Sequence, residues 1–273
     1  MLDADTIRQL QDLAAQYETK DFLNGDPSWF MHQVSGTLNM ETAAFIAAAL
    51  SYGSRKQFLP KIGDIISASA GEPYSWVRDG AFSKMFSPSD NSSFYRLYSH
   101  RQMHLFFSAY CELLVRYGSL HDYVCCCAST AGKVSEDIVF YGAKSAAGNL
   151  PACGITALTA LRLITSFFAS HGGTVVIPKD VQSCCKRLCM FLRWMVRDGS
   201  PVDIGIWSDI ISRRTLIMPL DTHVMQQARR LHLTDARCTS MRTALALSAT
   251  VAEVFPDDPL KADFALFGYG VNA

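Results

Sequence analysis

The side chains best suited to do chemistry are concentrated in two segments of the C-terminal half of the chain. In LIMPLDTHVMQQARRL, residues 216–231, Asp221 and His223 stand two residues apart just after a proline, at the start of a helical pattern. Asp221 could cap that helix, or its carboxylate could face a substrate. Upstream, Lys186 stands in the segment CCKRLCMFLRWMVRDG. A partly desolvated amine near other cations loses its proton more readily and becomes a nucleophile, so Lys186 and Asp221 are the candidate reactive groups.

Helical spacing in the Lys186 segment predicts a basic stripe. Lys186, Arg193 and Arg197 fall on one side of such a helix, whereas most of the apolar residues between them fall elsewhere and can face a core. A basic stripe on an anchored helix suits contact with phosphates. The alternative is an ordinary solvated helix face.

Charge is unevenly distributed along the chain, although 25 basic and 25 acidic residues give a net charge of zero. Residues 1–178 carry a net charge of −2, residues 179–242 carry +5 and residues 243–273 carry −3. The neutral total argues against a nucleic-acid-binding protein. The local excess of positive charge can nevertheless attract an anionic partner.

The sequence pattern predicts an all-α protein. Helical periodicity dominates, and GTVVIP at 173–178 is the best of few strand candidates. The polar stretches 80–93 and 198–215 are predicted to be longer loops. We expect a multi-helical protein with two helical lobes and a cleft between them, in a single domain over residues 1–273. Because 49% of the residues are hydrophobic and 18% are charged, global disorder is excluded.

Several helix ends are marked by their residues. Ser99, with Gln102 three positions later, predicts a capping box, and Gly118 predicts the end of the same helix. Asn39 is predicted to cap an alanine-rich, buried helix.

Composition also bears on compartment and on metal sites. The N-terminus has early acids and no basic segment, and no stretch of about 18 apolar residues lacks polar interruptions, so neither a secretory signal nor a membrane span is expected. The cytoplasm is the expected location. Nine cysteines, an odd number, indicate reduced thiols. The run at 125–127 has poor ligand geometry and the seven histidines are scattered, so no metal and no cofactor are expected.

Three segments resemble a known superfamily. LDTHV followed by ARRLHL is similar to the signature of helix-hairpin-helix base-excision DNA glycosylases. KRLCMFLRWMV resembles the nucleophile helix of archaeal-type 8-oxoguanine glycosylases, and DFALFGYG is similar to the final helix of the superfamily. The similarity covers about residues 180–270 and is greatest to an uncharacterised bacterial branch.

The resemblance implies an all-α DNA glycosylase/AP lyase-like domain that flips a damaged, oxidised purine out of double-stranded DNA. Lys186 would attack the sugar C1′ and form a Schiff base. Asp221 would stabilise positive charge on the sugar and help to move protons. The residues expected to hold the phosphate backbone are Arg187, Arg193, Arg213 and Arg214.

The chain departs from the superfamily pattern in three ways. Gln182 and Cys184 stand where the hairpin glycines would let backbone N–H groups approach a phosphate. The segment between Lys186 and Asp221 is about twice the usual length, and its insertion could reshape or cover a pocket. The cysteine spacing of the iron–sulfur members is missing, so no cluster is expected.

Some alternatives stay open at the level of sequence. His223 is expected near Asp221, either as a hydrogen-bonding structural residue or in direct proton transfer. The protein could be a non-catalytic nucleic-acid or damage-binding protein on the same scaffold, which the absent glycines favour. It could also be an α-helical protein-interaction adaptor, which the zero net charge favours.

Overall fold

The computed structural model describes residues 2–130 and 154–272, and all structural statements below refer to these residues. The described chain is predominantly helical and contains one two-stranded antiparallel sheet, which confirms the all-α prediction. The segment GKVSEDIVFYGAKSAAG, residues 132–148, also has a pattern that predicts a helix, and it lies outside the described residues. Unit 1 contains the described residues of Met1–Asn24, Ala128–Leu161 and Val181–Ala273, and unit 2 those of Gly25–Cys127 and Arg162–Asp180.

The helices and strands follow one another in a simple order. The α-helices are α1 (Ala4–Tyr17), α2 (Thr37–Leu50), α3 (Arg55–Ala68), α4 (Pro73–Arg78), α5 (His100–Tyr117), α6 (Leu120–Thr130), α7 (Ala157–Ser170), α8 (Lys186–Val196), α9 (Thr222–Arg230), α10 (Met241–Ala252) and α11 (Lys261–Asn272). Short 3-10 helices cover Lys20–Leu23, Pro27–Gln33, Ala81–Lys84 and Arg213–Thr215. Strands β1 (Ser93–Tyr95) and β2 (Tyr98–Ser99) pair with each other.

Unit 2 is built around α2, which is almost entirely buried, as its alanine-rich sequence predicts. Phe45 of this helix packs against Tyr110 of α5 and Phe168 of α7, with ring centroids 4.9 and 5.5 Å away. The buried carboxylate of Glu41 accepts hydrogen bonds from the backbone N–H groups of Leu120 and His121, at 2.8 and 3.2 Å. A core helix therefore caps the first turn of α6.

The predicted capping signals have different outcomes. The capping box of Ser99 and Gln102 is confirmed, and α5 ends at Gly118 with a φ of 88°. The prediction that Asn39 is an N-cap is wrong, because α2 begins two residues earlier, with Gly36 as its cap. The Asn39 amide instead donates to the carboxylate of Glu72 at 2.7 Å.

The predicted strand at 173–178 is wrong. The N–H groups of Val176 and Ile177 donate to the carbonyl of Gly173, so this segment forms turns after α7. Both residues are buried, and their apolar run therefore reflects burial of a turn and not pairing with a neighbouring strand. The small sheet lies instead next to the stretch 80–93 that was predicted to be a loop.

Unit 1 places α8 in its core. The segment after α8 folds back onto the end of that helix: the N–H groups of Ile204 and Gly205 donate to the carbonyl of Trp194, at 2.8 and 3.1 Å. The N–H of Trp207 donates to the carbonyl of Met195 at 2.6 Å. The insertion between the two motifs thus satisfies carbonyl groups that a helix end leaves unpaired.

Helices α1 and α11 of unit 1 pack closely at a glycine. A Cβ built on Gly268 would stand 2.1 Å from the ring carbon Cδ2 of Tyr17. The two backbones can approach this far only because position 268 has no side chain.

Within residues 2–130 and 154–272, no helix is both long enough and apolar enough to cross a bilayer. None of the cysteines in the described ranges forms a disulfide, and in the run at 125–127 the middle thiol is exposed while its two neighbours are half-buried.

Candidate active site

The amine and the carboxylate singled out from the sequence lie together in unit 1. Lys186 is the first residue of α8, and Asp221 is the N-cap of α9. The Lys186 Nζ lies 2.7 Å from the Asp221 Oδ2. The two side chains are 38% and 32% exposed, so a molecule from solvent can reach both. Their catalytic roles stay predictions, whereas their proximity is a feature of the structure.

Asp221 uses its two carboxylate oxygens differently. Its Oδ1 accepts hydrogen bonds from the backbone N–H groups of His223 and Val224, at 2.9 and 2.8 Å. Its Oδ2 faces Lys186. Asp221 is therefore a helix cap, which is one of the two alternatives raised by the sequence, and also the partner of an amine. That its carboxylate faces a substrate stays a prediction.

The electrostatic surroundings favour the ionised form of Asp221. Partial burial by itself raises the pKa of this carboxyl group. The charge and hydrogen bond of Lys186, together with the two backbone N–H groups, outweigh that effect and lower the pKa below its ordinary value. At neutral pH the resting site thus has an ionised carboxylate in contact with the amine of Lys186.

A thiol links the residues that precede α8 and α9. The Cys184 Sγ donates to the carbonyl of Leu220 at 3.1 Å, which links the residues just before each helix. Cys185 is buried and has a φ of 45°, a left-handed conformation that is uncommon for a residue with a side chain. This segment positions Lys186 without a glycine-rich turn.

Asp263 of α11 is a third ionisable residue of the site, and sequence reasoning did not select it. Burial raises the pKa of its carboxyl group, the positive charge of Arg193 lowers it, and smaller opposing contributions come from Asp221 and Lys186. Asp263 therefore lies in the electrostatic field of the candidate pair. The available signal was an acidic residue within the apolar segment DFALFGYG, because a carboxylate in an apolar helix usually has a buried partner.

The structure corrects the prediction for Arg193. Its side chain is only 3% exposed, so it cannot contact a phosphate backbone. It pairs instead with Asp203 at 3.2 Å and with Asp263 at 2.5 Å, and its guanidinium lies over the ring of Phe264. Arg193 holds Asp263 in place from inside the unit.

Arg197 is buried in the same way, which removes the predicted basic stripe. Its guanidinium donates to Asp258 at 2.8 Å, to Glu18 at 2.6 Å and to Asp203. Asp258 and Glu18 are far away in sequence, whereas Asp203 comes from the insertion that directly follows α8. The insertion therefore stabilises the inner side of α8, at the end opposite Lys186.

The other three predicted phosphate contacts lie nearer the surface. Arg187 is half-buried beside Lys186 and has at least one interaction of its own. Arg213 donates to Asp198 at 3.1 Å and to the carbonyl of Asp257, whereas Arg214 pairs with the Asp257 side chain. Phosphate binding by these residues stays a prediction, and Arg213 and Arg214 would have to give up acidic partners for it.

Comparison with known proteins identifies a family but no activity. A family model described as "Protein of unknown function (DUF2400)" matches residues 26–272, a range that includes both Lys186 and Asp221. The chain belongs to the DUF2400 family. No curated protein and no solved structure gives a significant match. The activity of this DUF2400 protein must therefore be argued from the site itself.

His223 of the DUF2400 chain lies at the edge of the site. Its backbone N–H binds Asp221, and its side chain is exposed. The Nε2 lies 3.1 Å from the position that a Cβ would take at Gly270 of α11. His223 is thus close to the candidate pair, and its part in proton transfer stays a prediction.

Metal ligands are not gathered around this site. Within residues 2–130 and 154–272, no three histidine, cysteine, aspartate or glutamate side chains are placed to hold a metal ion together. A lysine nucleophile with a neighbouring carboxylate can act without a metal, and this is the chemistry that the described residues offer.

Proposed function

We propose that this DUF2400 protein is a DNA glycosylase/AP lyase-like enzyme that excises a damaged, oxidised purine through a Schiff base on Lys186, assisted by Asp221. The observation that carries the proposal is the 2.7 Å contact between a solvent-accessible amine and a carboxylate at the starts of two helices. The proposal includes double-stranded DNA as the partner, two helical lobes with a cleft as the architecture, and the cytoplasm as the location.

The reaction can be written for the described residues. The neutral amine of Lys186 attacks the C1′ carbon, and the glycosidic bond breaks with its electron pair leaving on the base, which takes up a proton. Loss of a further proton and opening of the sugar ring leave a C=N bond between C1′ and Lys186. Removal of a C2′ proton then moves electrons toward that bond, and the C3′–O bond breaks with release of the phosphate.

Asp221 supports two parts of this sequence. Lys186 must lose a proton before it can attack, and the carboxylate of Asp221 is an acceptor at hydrogen-bond distance. After the attack, a carboxylate in this position stabilises the positive charge that develops on the sugar. Asp263 is placed to influence both steps through its charge.

The proposal is tested by trapping the imine. The protein is incubated with borohydride and a duplex that carries either 8-oxoguanine or an abasic site, and covalent adducts are separated by denaturing electrophoresis. We expect an adduct with the native protein and none with K186A. Lys261, also the first residue of a helix of unit 1, provides the matched control: K261A should trap as the native protein does.

The abasic duplex separates the two roles of Asp221. An abasic site already has an aldehyde, so imine formation there needs no base excision. We expect D221N to lose the adduct with 8-oxoguanine DNA and to keep a slower adduct with abasic DNA. Absence of any adduct with the native protein on both duplexes would contradict the enzymatic proposal.

A non-catalytic DNA-damage-binding protein is the second candidate. It is favoured by the contact of the Lys186 amine with an ionised Asp221, because a neighbouring carboxylate favours the protonated form of an amine, which is not nucleophilic. It is also favoured by the replacement of the hairpin glycines by Gln182 and Cys184. Salt-dependent DNA binding without an adduct would establish this candidate, and absence of DNA binding would favour a protein-interaction adaptor.

A further inference from the structure

A groove beside α9 is the feature of unit 1 that the candidate site does not use. It has a volume of about 890 Å³ and lies between α9 and the segment that leads to α10. Three arginines line it, Arg229, Arg230 and Arg237, together with one acidic residue, Asp235. We refer to it as the α9 groove.

We propose that the α9 groove binds the phosphate backbone of the nucleic acid that reaches Lys186 and Asp221. The identification of the bound polymer as a nucleic acid rests on the proposed function. It differs from the sequence-based expectation, which assigned the backbone to Arg187, Arg193, Arg213 and Arg214.

The charge of the groove supports a polyanionic occupant. In the described part of the chain, neither Arg229 nor Arg237 forms an ion pair, and the guanidinium of Arg230 donates only to the uncharged Gln227, at 3.3 Å. Arg213 and Arg214, by contrast, already have acidic partners. Guanidinium groups without a carboxylate partner can bind phosphates at no cost in lost ion pairs.

The lining of the groove argues against a typical small-molecule pocket. Such pockets are mainly apolar with few polar groups. Here most of the lining residues are polar or charged, with Met225 as a long apolar one, although the carbon stems of these side chains also contribute to the surface. The hydroxyl groups of Thr222 and Thr239 add hydrogen-bond donors of the kind that contact phosphate oxygens in nucleic-acid complexes.

The groove and the candidate site include neighbouring residues of the same helix. Thr222 lines the groove and directly follows Asp221, the N-cap of the same helix. A backbone bound along α9 would therefore end next to the carboxylate that faces Lys186. This continuity favours a nucleic-acid strand over an acidic protein surface, since it joins the anion-binding groove to the groups that would act on the sugar.

Binding to a labelled duplex tests the proposal. The probe is a fluorescein-labelled duplex with one tetrahydrofuran abasic analogue, and anisotropy gives the Kd at several salt concentrations. We expect the R229A/R237A double variant to raise the Kd at least about tenfold and to lower the slope of log K against log[salt] by about 2, roughly 1 for each cation. The control R8A/K20A removes two exposed charges elsewhere in unit 1 and should change neither quantity.

Three results would overturn the proposal. The first is a Kd for R229A/R237A within about twofold of the native value. The second is a native protein that does not bind the duplex. The third is displacement of the duplex by a poly-glutamate of equal charge, which would then bind more tightly than DNA does. The borohydride adduct is measured separately. An adduct that forms normally in R229A/R237A at saturating DNA, with an unchanged Kd, would refute the groove and leave the proposed function standing.

Cysteine alkylation gives an independent readout. Cys238 lines the groove and is exposed, and Cys126 of unit 2 is also exposed. Peptide mass spectrometry measures the alkylation rate at each cysteine. We expect saturating duplex to slow alkylation of Cys238 and to leave the alkylation rate of Cys126 unchanged. Equal alkylation of Cys238 with and without bound duplex would contradict the proposed path.

Discussion

At the residue scale, the contact between Lys186 and Asp221 predicts how the stability of the protein depends on pH. The pKa of Asp221 is lowered in the folded protein, so its ionised form contributes stability above its ordinary pKa of 3.8, and this contribution is lost as the pH falls through the lower, folded-state pKa. In D221N the asparagine still caps α9 but has no charge. We expect D221N to be less stable than the native protein near neutral pH by less than about 1 kcal/mol, since the pair is partly exposed.

Urea unfolding over a pH series measures this effect. The difference in unfolding free energy between the native protein and D221N should shrink as the pH falls below 3.8, because the native protein alone loses the contribution of the ionised Asp221. A difference that grew on acidification would contradict the assigned direction of the pKa shift.

We expect a larger loss of stability when a buried arginine is replaced. Replacing Arg197 with methionine leaves Asp258 without its cation and leaves Asp203 with Arg193 as its remaining partner. Breaking a buried pair from one side costs about 3–5 kcal/mol. R197K keeps the charge and should be less severe. Arg213, in an exposed pair, provides the control, and R213M should cost at most about 1 kcal/mol. Equal losses for R197M and R213M, measured by urea unfolding, would show that the buried network does not stabilise the fold.

The sequence predicted part of the site for identifiable reasons. Lys186 and Asp221 could be paired because each begins a helix within a recognisable local motif. Arg193 was assigned to the surface because its partners, Asp203 and Asp263, lie outside its own helix, and helical spacing does not reveal such contacts. A signal was available: in FLRWMVR the residues around both arginines are apolar on every side of the helix, a pattern typical of a wholly buried helix.

At the scale of elements, the packing of α1 on α11 depends on a single glycine. A Cβ at Gly268 would overlap the ring of Tyr17, so G268A requires one helix to shift, at a cost of about 1–3 kcal/mol. Gly63 of α3 is a matched helical control, because its added Cβ would meet only Phe30 at 3.8 Å. We expect G63A to stabilise the protein by about 0.5–1 kcal/mol, since alanine favours a helix more than glycine does.

Thermal unfolding of the two variants checks this prediction. G268A should lower the midpoint and G63A should raise it or leave it unchanged. A midpoint for G268A at or above that of the native protein would mean that the α1–α11 contact is looser than the structure has it.

Element types were predictable where local residues determine them, and less so where packing does. The capping box at Ser99 is a local feature, and it was predicted correctly. The apolar run at 173–178 was mistaken for a strand because a short buried turn and a strand share the same apolar composition. Only the hydrogen bonds to Gly173 distinguish them.

At the scale of the whole molecule, the distribution of charge predicts association that depends on salt. The net charge is zero, so copies of the protein do not repel one another through their total charge. The segment 179–242 carries +5 and the flanking segments carry −2 and −3. Part of this charge is neutralised within the chain, because Arg193, Arg197 and Arg214 pair with Asp263, Asp258 and Asp257. Among the described residues the arginines of the α9 groove form no ion pair, so they can attract an acidic surface of another copy. At about 0.15 M salt the Debye length is about 8 Å, which weakens such attraction.

We therefore expect the apparent hydrodynamic radius near pH 7, measured by dynamic light scattering at a fixed concentration, to be larger at low salt than at about 0.15 M. R229A/R237A should associate less than the native protein at low salt, because the substitutions weaken the positive segment and leave a net charge of −2. R8A/K20A reaches the same net charge by changes outside that segment. Equal association of the two double variants would show that total charge governs the effect, whereas a smaller radius for R229A/R237A alone would assign it to the positive segment that contains the α9 groove.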